Sequence, residues 1–389
     1  MVASIDQMLG VTYTQKAISR VAAASSAINR KFGMQGGPPG SNIRGANVTT
    51  IGHRQFGFDI FNDSRAVGRS TAPGAPAAVS TRNPVGVVRG EFPRMHDSLV
   101  LEAERLHNRR ALGGSSAAYD EGGKNYITRQ QRYLGQKAGN FRTMLIGGMV
   151  RGALYAHKRN TDVYYDYTSS NAMWTIDYQI PTGNKSQLNM LGGGNLIDVA
   201  WDNPGANIPK QIGEINAAFQ VLTGSRLDLI IINAKTWNYL LNNDYVIQNA
   251  GSSSPAYIEL AREEGESENG HPYTTIEARL AAVPWVKFLV TDEGLDLETA
   301  TPGVTAYTKF IPDGAAWFGP NPTSDYFEMW EGDEPISEGP NQPQQIKAGL
   351  DAWTYNSWNP TATQLFVLDN AIPVLFVPAA TAFATVTGF

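Results

Sequence analysis

Cysteine is absent from all 389 residues. That excludes disulfides, thiolate metal sites and cysteine nucleophiles, and it suits a chain made in a reducing cytoplasm and held together by burial and contacts. Histidine is scarce. His53, His96, His107, His157 and His271 are scattered, and none has a second ligand at metal spacing. No Gly-x-Ser-x-Gly elbow occurs, so nucleophilic hydrolysis has no sequence marker, although a Ser-His-Asp triad assembles only in space. Gly192, Gly193 and Gly194 lack the following Lys-Ser/Thr of a phosphate loop and read as a turn. Long apolar runs are missing too. The longest, Phe141 to Tyr155, is interrupted by Arg142 and Arg151 and is too short to cross a bilayer. The N-terminus carries Asp6 and has no apolar stretch of signal-peptide length. These absences predict a protein with no catalysis, cofactor, metal site or membrane partner.

What is present is glycine, proline and aromatics: 39 Gly, 22 Pro, 16 Tyr, 15 Phe and 8 Trp, with 42% hydrophobic residues overall. This composition reads as an ordered, turn-rich protein with much strand. Its length exceeds what one hydrophobic core supports, so two or three lobes are expected. Charge is divided along the chain. Residues 1–160 hold 22 Lys and Arg against 9 Asp and Glu, a net of +13, whereas residues 161–389 hold 9 against 27, a net of −18. Such segregation suits a subunit that lays its front half on a neighbour's back half, or a basic arm that meets nucleic acid.

Residues 1–47 read as an arm, with one helical pattern from Ala17 to Ile28 and the loop Gly36, Gly37, Pro38, Pro39, Gly40. From Val48 to Phe92 the alternation of Phe56, Phe58 and Ile60 leads through a Pro/Gly/Ala tip and back along Val85, Val87 and Val88, a long two-stranded excursion. An isolated hairpin of that kind is marginal in water, so a partner subunit is expected to support it. Leu99, Ala103 and Leu106 at helical spacing predict a short helix. The longest helical pattern follows over residues 124–159, roughly 54 Å at 1.5 Å per residue. Ile127, Leu134, Ala138, Phe141, Leu145 and Met149 share its apolar face, and Arg129, Arg132, Lys137, Arg151 and Lys158 its opposite, basic face. Five glycines within it call for tertiary support.

Beyond the helix, Val163 to Ile180 is strand-like. Pro209 opens an amphipathic helix on Ile212, Ile215, Phe219 and Leu222, Leu227 to Ile232 is a buried strand, and Lys235 to Leu241 is another helix. This predicts an α/β lobe. Strands and turns then run to the C-terminus. Asp292, Glu293, Asp296 and Glu298 read as a solvated acidic edge, because they lack the spacing of a calcium loop. The tryptophans, mostly in the acidic half, read as core and contact anchors.

This order of elements resembles the HK97-like fold of tailed-phage major capsid proteins. The C-terminal third, KFIPDGAAWFGPNP (309–322) and TATQLFVLDNAIPVLFVPAATAFATVTGF (361–389), is similar to the lambda-type branch, the major capsid protein E family. So is LDLIIINAKTWNYLLNN (227–243), a strand-then-helix element of the lobe. The resemblance implies an α+β chain with an N-arm (1–47), an extended E-loop hairpin (48–95) and a P-domain (96–200) containing the spine helix 124–159. An α/β A-domain (201–355) and a C-terminal β segment (356–389) complete it. It also implies a structural subunit that assembles into hexamers and pentamers of an icosahedral virion capsid, built in the host cytoplasm. Its partners would be copies of itself, a separate scaffolding protein, a portal, a decoration protein and packaged double-stranded DNA. Arg54, Arg65, Arg69, Arg82, Arg89 and Arg94 become candidates for contacts between subunits. Arg129, Arg132, Lys137, Arg151 and Lys158 become candidates for inward-facing contacts to DNA phosphates. Two other readings stay open: an encapsulin-like shell around a cargo, and a β-rich hydrolase or carbohydrate-binding protein.

Some shells of this fold crosslink covalently through an E-loop lysine, but residues 48–92 contain none. A denaturing gel of the purified protein is therefore expected to show a single band, and a ladder of linked subunits would refute this.

Overall fold

A computed structural model of the chain describes residues 8–24, 26–38, 41–61, 86–102, 116–159, 162–250, 257–266, 272–337, 344–358 and 361–389. The fold is of the α+β class. The arm contains helices α1 (Val11–Ala24) and α2 (Ala27–Lys31). Ser26 separates them and caps α2, its Oγ accepting the Asn29 N–H. Strand β1 (Val48–Thr50) precedes the hairpin of β2 (Gln55–Ile60) and β3 (Gly86–Glu91), and β4 (Arg94–Glu102) leads towards the long helix α3 (Ser116–Arg151).

Two sequence expectations are corrected in this region. Leu99, expected to open a helix with Ala103 and Leu106, which lie outside the described residues, lies instead in strand β4 over Arg94–Glu102. Its alternate residues Met95, Leu99 and Leu101 pack into the core while Arg94, His96, Ser98 and Val100 face outward. Nine consecutive pairings to a later strand settle the choice, because a ladder that long outweighs local helical spacing. The long helix, expected over 124–159, begins earlier and stops at Arg151. Gly152 takes φ 91°, a left-handed conformation that closes the helix, and residues 153–159 become strand β5 (Ala153–Arg159). The apolar face of α3 agrees with its residues. Ile127, Leu134, Ala138, Leu145 and Met149 are buried, and Phe141 is half-buried.

Strand β5 is the centre of a three-stranded sheet with β6 (Asp162–Asp166) and β7 (Trp174–Asp177). The lobe then adds β8 (Lys185–Ser186), α4 (Ile208–Leu222), β9 (Leu229–Ile232), α5 (Ala234–Leu241) and α6 (Asp244–Ala250). Strands β10 (Tyr257–Glu266), β11 (Pro272–Leu280) and β12 (Lys287–Thr291) follow, then β13 (Gly294–Glu298), β14 (Thr305–Lys309) and β15 (Ala315–Gly319). The C-terminal part supplies β16 (Phe327–Glu331), β17 (Asp333–Ser337), β18 (Gln344–Ala348), β19 (Asp351–Trp358), β20 (Thr361–Leu375) and β21 (Ala382–Thr385).

Two sheets organise these strands. A seven-stranded sheet runs β10-β11-β12-β9-β15-β21-β8, with β12 and β9 parallel. A five-stranded sheet is built on β20, fifteen residues long. Its first part lies between β19 and β4, and its last residues pair with β16, which holds β1 on its far side. Thus β16 and β19 belong to the five-stranded sheet and not to the lobe sheet, while β21 crosses back to the lobe.

The arm lies along α3. The Gln131 amide donates to the Met8 carbonyl and the Thr14 hydroxyl, and the Asn29 amide donates to the Gly139 carbonyl, so α1 and α3 advance in the same direction. Gly135 permits the close approach: a Cβ there would stand 2.7 Å from Val21 Cβ and 2.8 Å from the Ile18 carbonyl oxygen. Ile18 and Ala22 complete a core with Ile127, Leu134, Leu101, Leu365 and Val367. A second core, holding Phe32, Met34, Met149, Trp317, Phe327 and Ile372, ties arm, helix and both sheets together.

Candidate assembly interface

The hairpin strand β2 turns Phe56, Phe58 and Ile60 inward by simple alternation. Phe56 meets Phe92 edge-on at 5.6 Å and Phe58 meets Trp330 at 5.9 Å, so the base of the hairpin is anchored to β16 by aromatic contacts. The arginines of this region have distinct surroundings. Arg54 and Arg94 both reach Glu334 on β17, at 3.4 and 3.3 Å. Each is substantially exposed, with side-chain accessibilities of 65% and 42%, so the shared carboxylate positions them without hiding them. Arg89 is exposed on β3. Arg65, Arg69 and Arg82 lie outside the described residues.

The five cations assigned to one basic face separate in the structure. Arg129 and Arg132 are exposed on α3. Lys137 is half-buried and donates to Asp97 at 2.7 Å. Burial opposes its charge, but the Asp97 hydrogen bond and charge outweigh it and hold the ammonium above the usual lysine range. Arg151, the last helical residue, donates to the carbonyls of Lys309 and Phe310 at 2.6 and 3.2 Å and stands over the Tyr167 ring at 4.1 Å. That guanidinium is committed inside the molecule. Lys158 is exposed, but on strand β5.

The most heavily engaged charge was not among the candidates. Arg142, 1% accessible, projects from α3 into the interior. Its Nε and Nη2 form a bidentate pair with both oxygens of Asp369 at 2.7 Å, and Nη2 also reaches Glu331 at 2.6 Å. Nη1 donates to the Met34 carbonyl of the arm at 3.4 Å. Arg44, also from the arm, closes the set at 2.8 Å from the other oxygen of Glu331. Two cations and two carboxylates therefore join arm, helix, β16 and β20 in a site of low dielectric, where pairing is obligatory. Burial pushes the Glu331 carboxyl up, and the Arg142 charge pulls it back. The sequence signal was the break that Arg142 makes in the longest apolar run.

Glu293 corrects the reading of a solvated acidic edge. It is 4% accessible and lies against the start of α2, where Ile28 N–H donates to its Oε2 at 3.4 Å. Burial raises its carboxyl to about 7, against the opposing effects of Ser26, the Ile28 N–H and Arg30. Its sequence neighbours are spent otherwise: Asp292 accepts the Ala234 N–H at the start of α5, and Glu298 pairs with Arg159. No group of three metal-ligating side chains occurs among the described residues.

No protein-family model matches the chain and no curated protein sequence matches it. Solved structures give distant likenesses. One is a prophage protein of E. coli CFT073 described as a capsid protein, at 13% identity, covering 77% of this chain and 78% of that one, with a TM-score of 0.48. Another is a phage-related protein from Bordetella bronchiseptica RB50, at 12% identity over 100% and 99% of the two chains, with a TM-score of 0.45. A third is a virus-like particle from Pyrococcus furiosus, at 11% identity over 95% and 97%, with a TM-score of 0.44. At these scores the functional reading rests on the chain's own geometry.

Proposed function

We propose that this chain is a structural shell subunit of HK97-like type. In this reading it assembles through hexamers and pentamers into an icosahedral phage head around double-stranded DNA. The observation that carries the reading is the order of its elements. An arm helix lies along a long helix, a two-stranded hairpin precedes that helix, a seven-stranded α/β lobe follows, and one long strand returns to pair beside the helix. The charge division supports it. No Asp or Glu occurs between residues 7 and 58 or between 122 and 161, so most of the arm and of the long helix is cationic, while residues 161–389 hold 27 of the 36 acids. Complementary patches of this kind favour closed rings of one chain over random association. The reading takes Arg54, Arg89 and Arg94 as contacts to a neighbour, with Arg65, Arg69 and Arg82 further along the hairpin sequence. A separate scaffolding protein, a portal and a decoration protein belong to the same proposal.

Negative-stain microscopy of the purified protein tests it: shells of uniform size are expected, and a monomer by light scattering sinks it. Shells free of nucleic acid would instead favour a cargo-enclosing compartment. Because exposed charges are screened within about 10 Å at 0.1 M salt, light scattering is expected to show slower and less complete assembly as salt rises. Salt-independent assembly would contradict a charge-directed contact.

A further inference from the structure

The parallel packing of α1 on α3 creates a surface that neither helix has alone. Taking about 100° per residue, Arg129 and Arg132 lie about 60° apart and roughly opposite Leu134 and Ala138, which face the sheet. On α1, Lys16 and Arg20 lie about 40° apart and roughly opposite Ile18, which faces α3. Both pairs are exposed, and both sit on the side of the helix pair away from the sheet. None of the four forms an ion pair among the described residues, and neither helix contributes a carboxylate from residues 8–24 or 124–151. Asn125 and Thr128 add exposed hydrogen-bonding groups to the same side of α3.

A docking face for a protein normally has an apolar or aromatic centre. Here the centre is polar, and the exposed apolar residues, Val11 and Tyr13, stand at the start of α1. A cationic surface that draws no carboxylate from residues 8–24 or 124–151 fits a partner of repeating negative charge. We infer that α1 and α3 together form a sequence-indifferent binding face for the phosphates of double-stranded nucleic acid, with Lys16 and Arg20 of the arm supplying half of its cations. This rests on the shell reading above and names the partner of its helical face. It also changes the membership of that face: Lys137 and Arg151 are engaged within the molecule, and Lys158 stands on another element.

The test is binding of a labelled random-sequence DNA duplex to the full chain at several salt concentrations. Four phosphate contacts give a slope of about −3.6 in log affinity against log salt, equivalent to about a 150-fold loss between about 50 and 200 mM. Lys16→Ala with Arg20→Ala, and separately Arg129→Ala with Arg132→Ala, are each expected to reduce that slope in magnitude by about 1.8. Arg226→Ala, on the lobe and already paired with Asp228, should leave it unchanged. An unchanged slope in either double variant overturns the two-helix face. So does binding of polyglutamate that competes with the duplex, which would point to an acidic peptide. Assembly of the same variants is followed in parallel. Variants that lose shell formation but keep the full slope would show that the face joins copies of the chain, which also overturns the inference. Wild-type protein that forms no shell yet shows the slope, and its halving in each variant, would sink the shell reading and leave this one standing.

Discussion

Replacing Arg142 with methionine is expected to cost about 3–5 kcal/mol of unfolding free energy, because it strands two carboxylates in the interior. Asp369 is fully buried and Glu331 is 1% accessible, so neither can recover water without opening the core. Of the two, Asp369 loses its bidentate partner outright, while Glu331 keeps Arg44. The measurement is guanidinium unfolding of the full chain. A cycle with Asp369→Leu makes the argument specific. If the loss comes from uncompensated charge, the Arg142→Met and Asp369→Leu double variant should be clearly more stable than the sum of the single effects predicts, by about 1–3 kcal/mol. Strict additivity would mean that packing volume, not pairing, sets the cost. The arm should respond as well. Met34 and Arg44 contact this site, so protease cleavage within residues 26–47 is expected to accelerate in Arg142→Met.

Glu293 should make the wild-type chain less stable at pH 8 than at pH 5. Its carboxyl titrates near 7 in the folded protein, above the ordinary value of 4.5. The folded state therefore holds a proton that the unfolded state has released between these limits, and stability falls as pH rises from about 4.5 towards about 7. Each tenfold change in proton affinity corresponds to about 1.4 kcal/mol, so the effect is about 3 kcal/mol at most. The groups facing it are the Ser26 hydroxyl and the Ile28 N–H of the arm elbow, with Arg30 and Glu263 acting through their charges. Arg30 also pairs with Glu263. Glu293→Gln keeps the shape and removes the titration. It is expected to flatten this part of the pH profile and to be the more stable form at pH 8. Parallel profiles for the two proteins would remove Glu293 as the cause.

The parts of the fold legible in the sequence were those with a strong single period. The apolar stripe of α3 and the helix-strand-helix run α4, β9, α5 are long or sharply bounded, and tertiary contacts agree with them. The two misread elements show competing periods. Leu99 fits both a helix with Ala103 and a strand with Met95 and Leu101; only the partner strand β20, more than 250 residues later, decides between them. Ala156, seven residues after Met149, continues the helical stripe as well as the alternation that it shares with Leu154, and the decision lies in the backbone of Gly152.

The candidate sites were less legible for the same reason. Arg142 meets Glu331 and Asp369 across 189 and 227 residues, and no local pattern encodes such a pairing. Glu293 sits among other acids in the sequence, so its burial was hidden by its neighbours. Lys137 and Arg151 matched the basic face by spacing, but Asp97 and the carbonyls of Lys309 and Phe310 had already claimed them.

The long strand β20 sets a timetable as well as a sheet. It provides the central pairing for β4 and β19, carries Asp369 to Arg142, and supplies Leu365 and Val367 to the core beneath α1. Until residues 361–375 have been made, the arm has no complete bed and Arg142 lacks its bidentate partner. Contacts at such separation close late and slowly. A nascent chain would thus carry its arm undocked until residues 361–375 had emerged, and only then could the arm settle against α3 and the sheet.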